Sequence, residues 1–303
     1  MKKNTRRHRS SALPRKAAAF DVETDLLAAK PSRAVRNRSD PPACVLTIAG
    51  SDSSGGAGVQ ADARAIHSLG GYAATAITAL TAQNTRGVWA VEPMSPKMLA
   101  RQIEAVLADL PIHAIKIGLL PNANAVEVIS QVLMDLEGAI GHVVIDPVLA
   151  STSGTRFLTK AGIRLMKKQL FPGAALITPN WPEAIELSGV PIASPSDAEK
   201  AARKMIERTG CLAVLVKGGH APGRKFVDVL VKADGAPAIR FEHPRIKSSN
   251  THGTGCVLSA AIATRLAQGW TVENAVGNAV DFLQAALAKS APALWNGRGP
   301  CLL

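Results

Sequence analysis

Short apolar runs alternate with helical stretches along most of this chain, beginning at Cys44. Such alternation is typical of an α/β fold, in which helices connect the strands of a mostly parallel sheet and cover both of its faces. The apolar runs predict strands at Cys44–Ala49, Ala74–Thr81, Ala114–Leu119, His142–Val148, Ala175–Thr178 and Leu212–Val216. The intervening stretches predict helices near Ala57–Leu69, Pro96–Asp109, Ala123–Leu136, Lys160–Leu170, Ser196–Arg208, Thr254–Gln268 and Thr271–Ala288. Two further runs, Phe226–Val231 and Ala238–Phe241, flank a polar turn and predict a small antiparallel hairpin.

A glycine pair opens the helix predicted from Thr254. Gly253 and Gly255 let the backbone approach a ligand closely. The unpaired N–H groups of a first helical turn, together with the positive end of the helix dipole, form an anion site. Cys256 lies in that turn, so we expect its thiol to face whatever anion is bound there.

A second glycine-rich segment, Gly50–Gly58, joins the first predicted strand to the first predicted helix. Turns of this kind often bind an anion or admit a ligand to the backbone, although a tight turn without a ligand explains the same residues. The segment lacks the Gly-Lys-Ser/Thr of a P-loop. Gln83 follows the next predicted strand, where its amide either binds a heteroaromatic ring or caps the loop.

Two carboxylates, an amide and a lysine follow later strands at the same predicted edge of the sheet. Asp146 ends one strand, Asn180 and Glu183 lie just after another, and Lys217 ends the sixth. Carboxylates in such positions bind Mg²⁺ while substrate phosphates supply other ligands, and a lysine contacts phosphate. Helix capping by Asp146 or Asn180, and a surface turn at Lys217, are the open alternatives.

Together these groups favour phosphoryl transfer, which needs charge stabilisation, a metal bridge and a group that orients or deprotonates the attacking hydroxyl. A different chemistry would pair Cys256 with His252 as a cysteine hydrolase. The four cysteines form no Cys-x-x-Cys motif, so neither a zinc site nor a disulfide framework is predicted. A reducing cytoplasm fits that cysteine usage.

Positive charge is concentrated at the start of the chain, where residues 1–41 hold 11 Lys and Arg against 4 Asp and Glu. With few large apolar residues, this segment predicts a basic, disordered extension over 1–42, followed by one folded domain over 43–303. Targeting or nucleic-acid binding is the alternative role of the extension. The domain itself has no nucleic-acid motif, and no stretch predicts a membrane span. We therefore expect a cytoplasmic protein whose partners are small molecules rather than nucleic acid or membrane.

Seven ordered segments stand out within residues 43–290: AGSDSSGGAGVQAD (Ala49–Asp62), TALTAQNT (Thr78–Thr85), KIGLL (Lys116–Leu120), DPV (Asp146–Val148), ITPNWPEA (Ile177–Ala184), VKGGH (Val216–His220) and NTHGTGC (Asn250–Cys256). Together they resemble the hydroxymethylpyrimidine and phosphomethylpyrimidine kinases of thiamine biosynthesis, a branch of the ribokinase-like superfamily. The resemblance implies an ATP- and Mg²⁺-dependent kinase that phosphorylates 4-amino-5-hydroxymethyl-2-methylpyrimidine and then its monophosphate. A pyridoxal kinase of vitamin B6 salvage is the alternative, because relatives with this motif set phosphorylate vitamin B6.

The resemblance also implies a homodimer and a role for each matching residue. Gly253 and Gly255 would form an anion hole over the transferred phosphoryl group, with Cys256 as the base, whose pKa the helix N-terminus is expected to lower. The pyrimidine would be bound by Gln83, Asp62, Gly50 and Val148, the ATP by Lys217, Asn180 and Thr251, and the Mg²⁺ by Asp146 and Glu183. Thr152 stands where many family members have lysine, so a nucleotide contact through that lysine is not expected here.

Overall fold

Parallel strands form the centre of a mixed sheet in the computed structural model, which describes residues 41–136, 140–151, 154–219, 224–289, 297–301 and 303. The strands of this part of the chain are β1 (Cys44–Asp52), β2 (Tyr72–Asn84), β3 (Gly87–Pro93), β4 (Ile112–Ile117), β5 (Val143–Ile145), β6 (Leu176–Ile177), β7 (Ala213–Val216), β8 (Lys225–Lys232) and β9 (Ile239–Pro244). Their order across the sheet is β3-β2-β1-β4-β5-β6-β7-β8-β9. The six strands from β2 to β7 in that order are parallel, whereas β3, β8 and β9 each run antiparallel to a neighbour. The predicted α/β fold class and antiparallel hairpin are confirmed.

Helices cover both faces of the sheet. Those of the described residues are α1 (Gly58–Ser68), α2 (Pro96–Asp109), α3 (Ala123–Asp135), α4 (Lys160–Gln169), α5 (Trp181–Ser188), α6 (Pro195–Thr209), α7 (Thr254–Ala267) and α8 (Val272–Lys289). Alternate residues of β1 point to opposite faces, so Leu46 and Ile48 join one buried cluster and Val45 joins another. The first cluster packs against α2 to α6, and the second against α1, α7 and α8.

The chain changes direction across the sheet at β1, because β2 lies on one side of it and β4 on the other. Open α/β sheets bind ligands at such a switch point, beyond the carboxyl ends of the strands. The loops that leave β1, β5, β6 and β7 all start at that edge, as does the start of α7. The fold therefore brings the polar segments identified in the sequence towards one end of the sheet.

Several element ends differ from the sequence prediction, among them those of β5, which is Val143–Ile145 where His142–Val148 was predicted. Three differences affect the site or the topology. β2 continues to Asn84, so that Gln83 lies within a strand rather than after it. β3 was not predicted, since it is an edge strand in which most residues are at least partly exposed and the apolar signal is weak. α5 was not predicted as a helix because its eight residues carry a proline in the first turn and follow directly on a proline-containing loop.

Some predictions fall outside the described residues. These include the basic extension with its boundary at residue 42, because residues 1–40 are not described, and Thr152 in the loop after Asp146. Within the described part of the chain, every helix is too short or too polar to cross a membrane.

A buried ion pair lies between the central strands and α1. Lys116 of β4 and Asp62 of α1 are both fully buried, and Nζ of the lysine lies 2.8 Å from Oδ2 of the carboxylate. Thr47 of β1 also donates a hydrogen bond to that oxygen. Burial acts to raise the pKa of Asp62, while the Lys116 ammonium and the hydroxyl act to lower it. Each charge therefore depends on the other for its place in the core.

Removing one member of this pair is expected to cost more than removing both. Lys116→Met leaves the Asp62 carboxylate buried without a counter-ion, for a loss of about 3–5 kcal/mol in the free energy of unfolding. Lys116→Met combined with Asp62→Leu replaces both charges with apolar groups and should recover most of that loss. Denaturant unfolding of the three proteins checks this. A double variant as unstable as Lys116→Met would contradict the argument.

Candidate active site

Two helices at this edge of the sheet begin without a side-chain cap. α1 starts after Ala57 and α7 after Gly253, and neither residue makes a side-chain capping bond. By contrast, five of the other helices are capped by Ser95, Asn122, Thr159, Asn180 and Ser194. Uncapped first turns keep N–H groups that an anion can satisfy. Both glycine-rich helix starts thus lack a side-chain cap, and anion binding at them stays a prediction.

The two glycine-rich segments touch through their backbones. Gly253 has φ +76°, and a Cβ there would overlap the carbonyl oxygen of Gly56. Gly56 is equally restricted, since a Cβ there would overlap the ring of His252. Only residues without a Cβ let the starts of α1 and α7 approach this closely.

Cys256 lies in the first turn of α7, half-buried, close to the start of α1. Burial raises the pKa of its thiol to about 11, and the opposing effects of Lys116 and of the backbone hydrogen bond with Gly58 are smaller. Asp62 and Asp146 also contribute to this rise. The expectation that the helix N-terminus lowers this pKa is therefore wrong for the protein without ligands, because desolvation and two nearby carboxylates outweigh it.

A lysine and an aspartate form an ion pair beside the start of α7. Nζ of Lys217, after β7, lies 2.7 Å from Oδ1 of Asp146, after β5. Thr178 also donates to that oxygen, at 3.2 Å. A Cβ on Gly255 would lie 3.3 Å from Nζ of Lys217 and 3.4 Å from Oδ2 of Asp146. The glycine thus leaves open the space between the first turn of α7 and both charged groups.

Asn180 and Glu183 form a capping box at the start of α5. The Asn180 side chain accepts a hydrogen bond from the Glu183 N–H, and Oε2 of Glu183 accepts one from the Asn180 N–H at 2.8 Å. This is the capping that the sequence left open for Asn180. Burial raises the pKa of Glu183 to about 7, with Lys217 opposing that rise and Asp146 adding to it. The carboxyl group of Glu183, next to the Asp146–Lys217 pair, therefore has a pKa close to neutral pH.

The remaining predicted residues occupy different depths. Asp62 lies deepest, where its Oδ2 is held by Lys116 and Thr47, while its Oδ1 has no hydrogen-bond partner among the described residues. Gly50 is buried near the end of β1, Val148 is half-buried, and Thr251 is exposed just before α7.

Sequence reasoning gave Lys116 no role. The signal was present, because a lysine within an otherwise apolar strand has to be paired to be buried.

His252 connects three parts of the site. Its Nε2 lies 2.8 Å from Oδ2 of Asp52, at the end of β1, and 3.0 Å from the side-chain amide of Gln83, in β2. Burial acts to raise the pKa of Asp52, but hydrogen bonds from His252, Ser54 and the Ala57 N–H together lower it to about 2. Sequence reasoning considered His252 only as a partner of Cys256. Among the described residues its ring bonds to Asp52 and Gln83 instead, which argues against the cysteine hydrolase.

Comparison with known proteins decides the family. The sequence model of the family described as phosphomethylpyrimidine kinase matches residues 52–301. The chain is 43% identical over 260 residues to the hydroxymethylpyrimidine/phosphomethylpyrimidine kinase of Rhizobium meliloti, an alignment that covers 85% of this chain and 96% of that relative. The chain belongs to the phosphomethylpyrimidine kinase family. The resemblance seen in the seven sequence segments is thereby confirmed.

Other proteins similar to this chain include a longer bifunctional protein and two proteins of known structure. The thiamine biosynthesis bifunctional protein ThiED of Geobacter sulfurreducens is also 43% identical, but the alignment covers 86% of this chain and only 52% of that protein. This chain thus spans about half the length of that relative. A phosphomethylpyrimidine kinase structure from Clostridium difficile has a TM-score of 0.70 at 38% identity and covers 80% of this chain and 98% of its own. A pyridoxal kinase from Bacillus subtilis, in complex with ADP, has a TM-score of 0.78 at 34% identity, with 86% and 97% covered.

The contact between the two glycine-rich segments can be tested with a matched pair of substitutions. Gly253→Ala and Gly269→Ala both place alanine at a positive φ, +76° and +84°, at opposite ends of α7. Only at Gly253 does the new Cβ meet other atoms, since nothing lies within 4 Å of it at Gly269. Gly253→Ala should therefore cost about 1–3 kcal/mol more in the free energy of unfolding. Equal losses in urea unfolding would contradict the packing argument.

Proposed function

We propose that this chain is a kinase that uses ATP and Mg²⁺ to phosphorylate the hydroxymethyl group of 4-amino-5-hydroxymethyl-2-methylpyrimidine, and then the phosphate of that product. The observation that carries the proposal is the uncapped, glycine-rich start of α7 beside the Asp146–Lys217 pair. Phosphoryl transfer depends on positioning and on charge stabilisation by such groups. The family assignment and the printed activities of the relatives support the same reaction.

The transferred phosphoryl group would lie at the first turn of α7. The N–H groups of Gly255 and Cys256 would bind its oxygens, and Lys217 would neutralise charge from the side that Gly255 leaves open. In the first step the hydroxymethyl oxygen bonds to the γ-phosphorus, the bond to the ADP oxygen breaks, and the hydroxyl proton leaves. Asn180 and Thr251 would contribute to the ATP site from either side of this centre.

The residues of the site fit Mg²⁺ held mainly through water and phosphate. Oδ1 of Asp146 is taken by Lys217 and Thr178, whereas Oδ2 faces the space left by Gly255. Glu183 adds a second carboxyl group, and the described residues hold no cluster of three ligating side chains. A cation with few protein ligands and several waters suits such a pair. Bound there with ATP, Mg²⁺ supplies charge neutralisation on the phosphate oxygens.

Cys256 would accept the hydroxyl proton in the first step. With a thiol pKa of about 11, only about one molecule in ten thousand carries the thiolate at pH 7. A step that needs the thiolate therefore becomes faster as the pH rises towards that pKa. The second step attacks through a phosphate oxygen that is already ionised and needs no such base.

This assignment predicts different pH profiles for the two steps. In the wild type, kcat/KM for the first phosphorylation should rise about tenfold per pH unit above pH 7, while kcat/KM for the second stays nearly flat. Cys256→Ala should lower the first step far more than the second and abolish the slope. The two rates are measured separately, starting from the alcohol and from the monophosphate. Equal losses of rate in both steps would show that Cys256 is not the base.

Pyridoxal kinase is the second candidate function. The pyridoxal kinase structure from Bacillus subtilis has a TM-score of 0.78, which is higher than the 0.70 of the phosphomethylpyrimidine kinase structure from Clostridium difficile. The test mixes the full chain with Mg–ATP and the aminopyrimidine, with pyridoxal in a parallel reaction, and follows products by chromatography. Sequential mono- and diphosphate are expected from the pyrimidine. Product from pyridoxal alone would replace the proposal with vitamin B6 salvage.

A homodimer and a cytoplasmic location accompany this proposal and rest on the family resemblance. One feature consistent with self-association is the β2–β3 edge, where Trp89 is 76% exposed and Leu80 is 47% exposed. Exposed apolar side chains at a sheet edge are a common association surface. Light scattering would give a mass near twice the 31.6 kDa of the chain for a dimer.

A further inference from the structure

The His252 ring is held rigidly at the ligand-binding end of the sheet. Its side chain is 13% exposed, and there is no room for a Cβ on the neighbouring Gly56. The His252 backbone N–H donates to the carbonyl oxygen of Gly299 at 3.0 Å, which fixes the residue from the other side. Packing and a backbone hydrogen bond thus hold the ring in place, and its two polar contacts are to Asp52 and Gln83.

The proton on His252 can be assigned from Asp52. The Asp52 carboxylate accepts hydrogen bonds from the Ser54 N–H and hydroxyl and from the Ala57 N–H, so it acts as an acceptor only. Nε2 of His252, 2.8 Å from Oδ2 of Asp52, must therefore carry a hydrogen. If the amide nitrogen of Gln83 pointed towards Nε2 of His252, two hydrogen-bond donors would face each other at 3.0 Å. The amide oxygen is the end that fits beside His252, where it shares the single Nε2–H with Asp52 in a bifurcated hydrogen bond.

The contacts of Thr81 independently indicate the same orientation of the Gln83 amide. Its single hydroxyl proton is used by the carbonyl oxygen of Ser51, at 2.9 Å. The other end of the Gln83 amide lies 3.3 Å from the Thr81 oxygen, which can then only accept. That end of the amide must be the NH₂ group. His252 and Thr81 thus require one and the same orientation of Gln83.

A side-chain amide offers two lone pairs on its oxygen and two N–H groups. His252 occupies one lone pair and Thr81 one N–H, which leaves one acceptor and one donor for a ligand. Their order is fixed, because rotating the amide by 180° would break both contacts. A ring nitrogen next to an amino group presents the matching donor and acceptor, as adenine does to such an amide.

We infer that His252, oriented by Asp52, is a positioning residue that fixes the Gln83 amide so that it selects an aminopyrimidine edge. The inference rests on the proposed function and extends it to the choice of substrate. His252 does not touch the reacting atoms. Its effect is on discrimination between rings with and without the amino group.

The test compares 4-amino-5-hydroxymethyl-2-methylpyrimidine with its analogue lacking the 4-amino group. His252→Leu removes the Nε2–H donor, whereas His252→Gln keeps an N–H donor of similar reach. His67→Leu, at an exposed histidine on α1, is the matched control. In each protein, kcat/KM is measured for both compounds, and KM for ATP is measured alongside. Calorimetry of both compounds with the same variants reports discrimination even where turnover is lost.

In the wild type and in His67→Leu the amino compound should be strongly preferred. His252→Leu should reduce that preference about tenfold with KM for ATP unchanged, and His252→Gln should restore most of it. In a Gln83→Leu background, His252→Leu should change the preference no further, because the amide that it positions is gone. Equal losses for both compounds, or a parallel rise in KM for ATP, would show a general structural role and overturn the inference alone. A wild type that is inactive on the aminopyrimidine would refute the proposed function and this inference with it.

Discussion

The backbone contact between Gly56 and Gly253 determines how the rest of the site is built. Because neither residue has a Cβ, the starts of α1 and α7 meet at the carboxyl edge of the sheet. The same contact places His252 against the glycine-rich turn after β1. Candidate site residues that are widely separated in the chain are brought together by this approach of two backbones.

The fold could be predicted from sequence because its signals are local. Six apolar runs and their intervening helical periods specify the parallel core, and β8 and β9 follow from two runs around a polar turn. The prediction failed where local signals are weak, at the exposed edge strand β3 and at the eight-residue helix α5. Family resemblance named candidate site residues that no local pattern could, among them Asp62, which is fully buried.

Properties that depend on the assembled environment could not be predicted. The pKa of Cys256 was expected to fall at a helix N-terminus, yet burial and two carboxylates raise it. The capping box of Asn180 and Glu183 and the ion pair of Lys116 and Asp62 show how many of the polar groups also stabilise the fold. Charged groups here are paired before any ligand is bound, so a ligand has to compete with or extend existing contacts rather than fill unpaired groups.

The contact between Asp52 and His252 joins residues that are 200 positions apart in the chain. Closing so large a loop costs entropy, which the native packing between the two segments has to offset. During synthesis, the glycine-rich turn and the first parallel strands leave the ribosome long before the segment that completes the ligand-binding end. A small molecule that needs both ends of the chain stabilises only the finished domain, and its binding therefore reports that folding is complete.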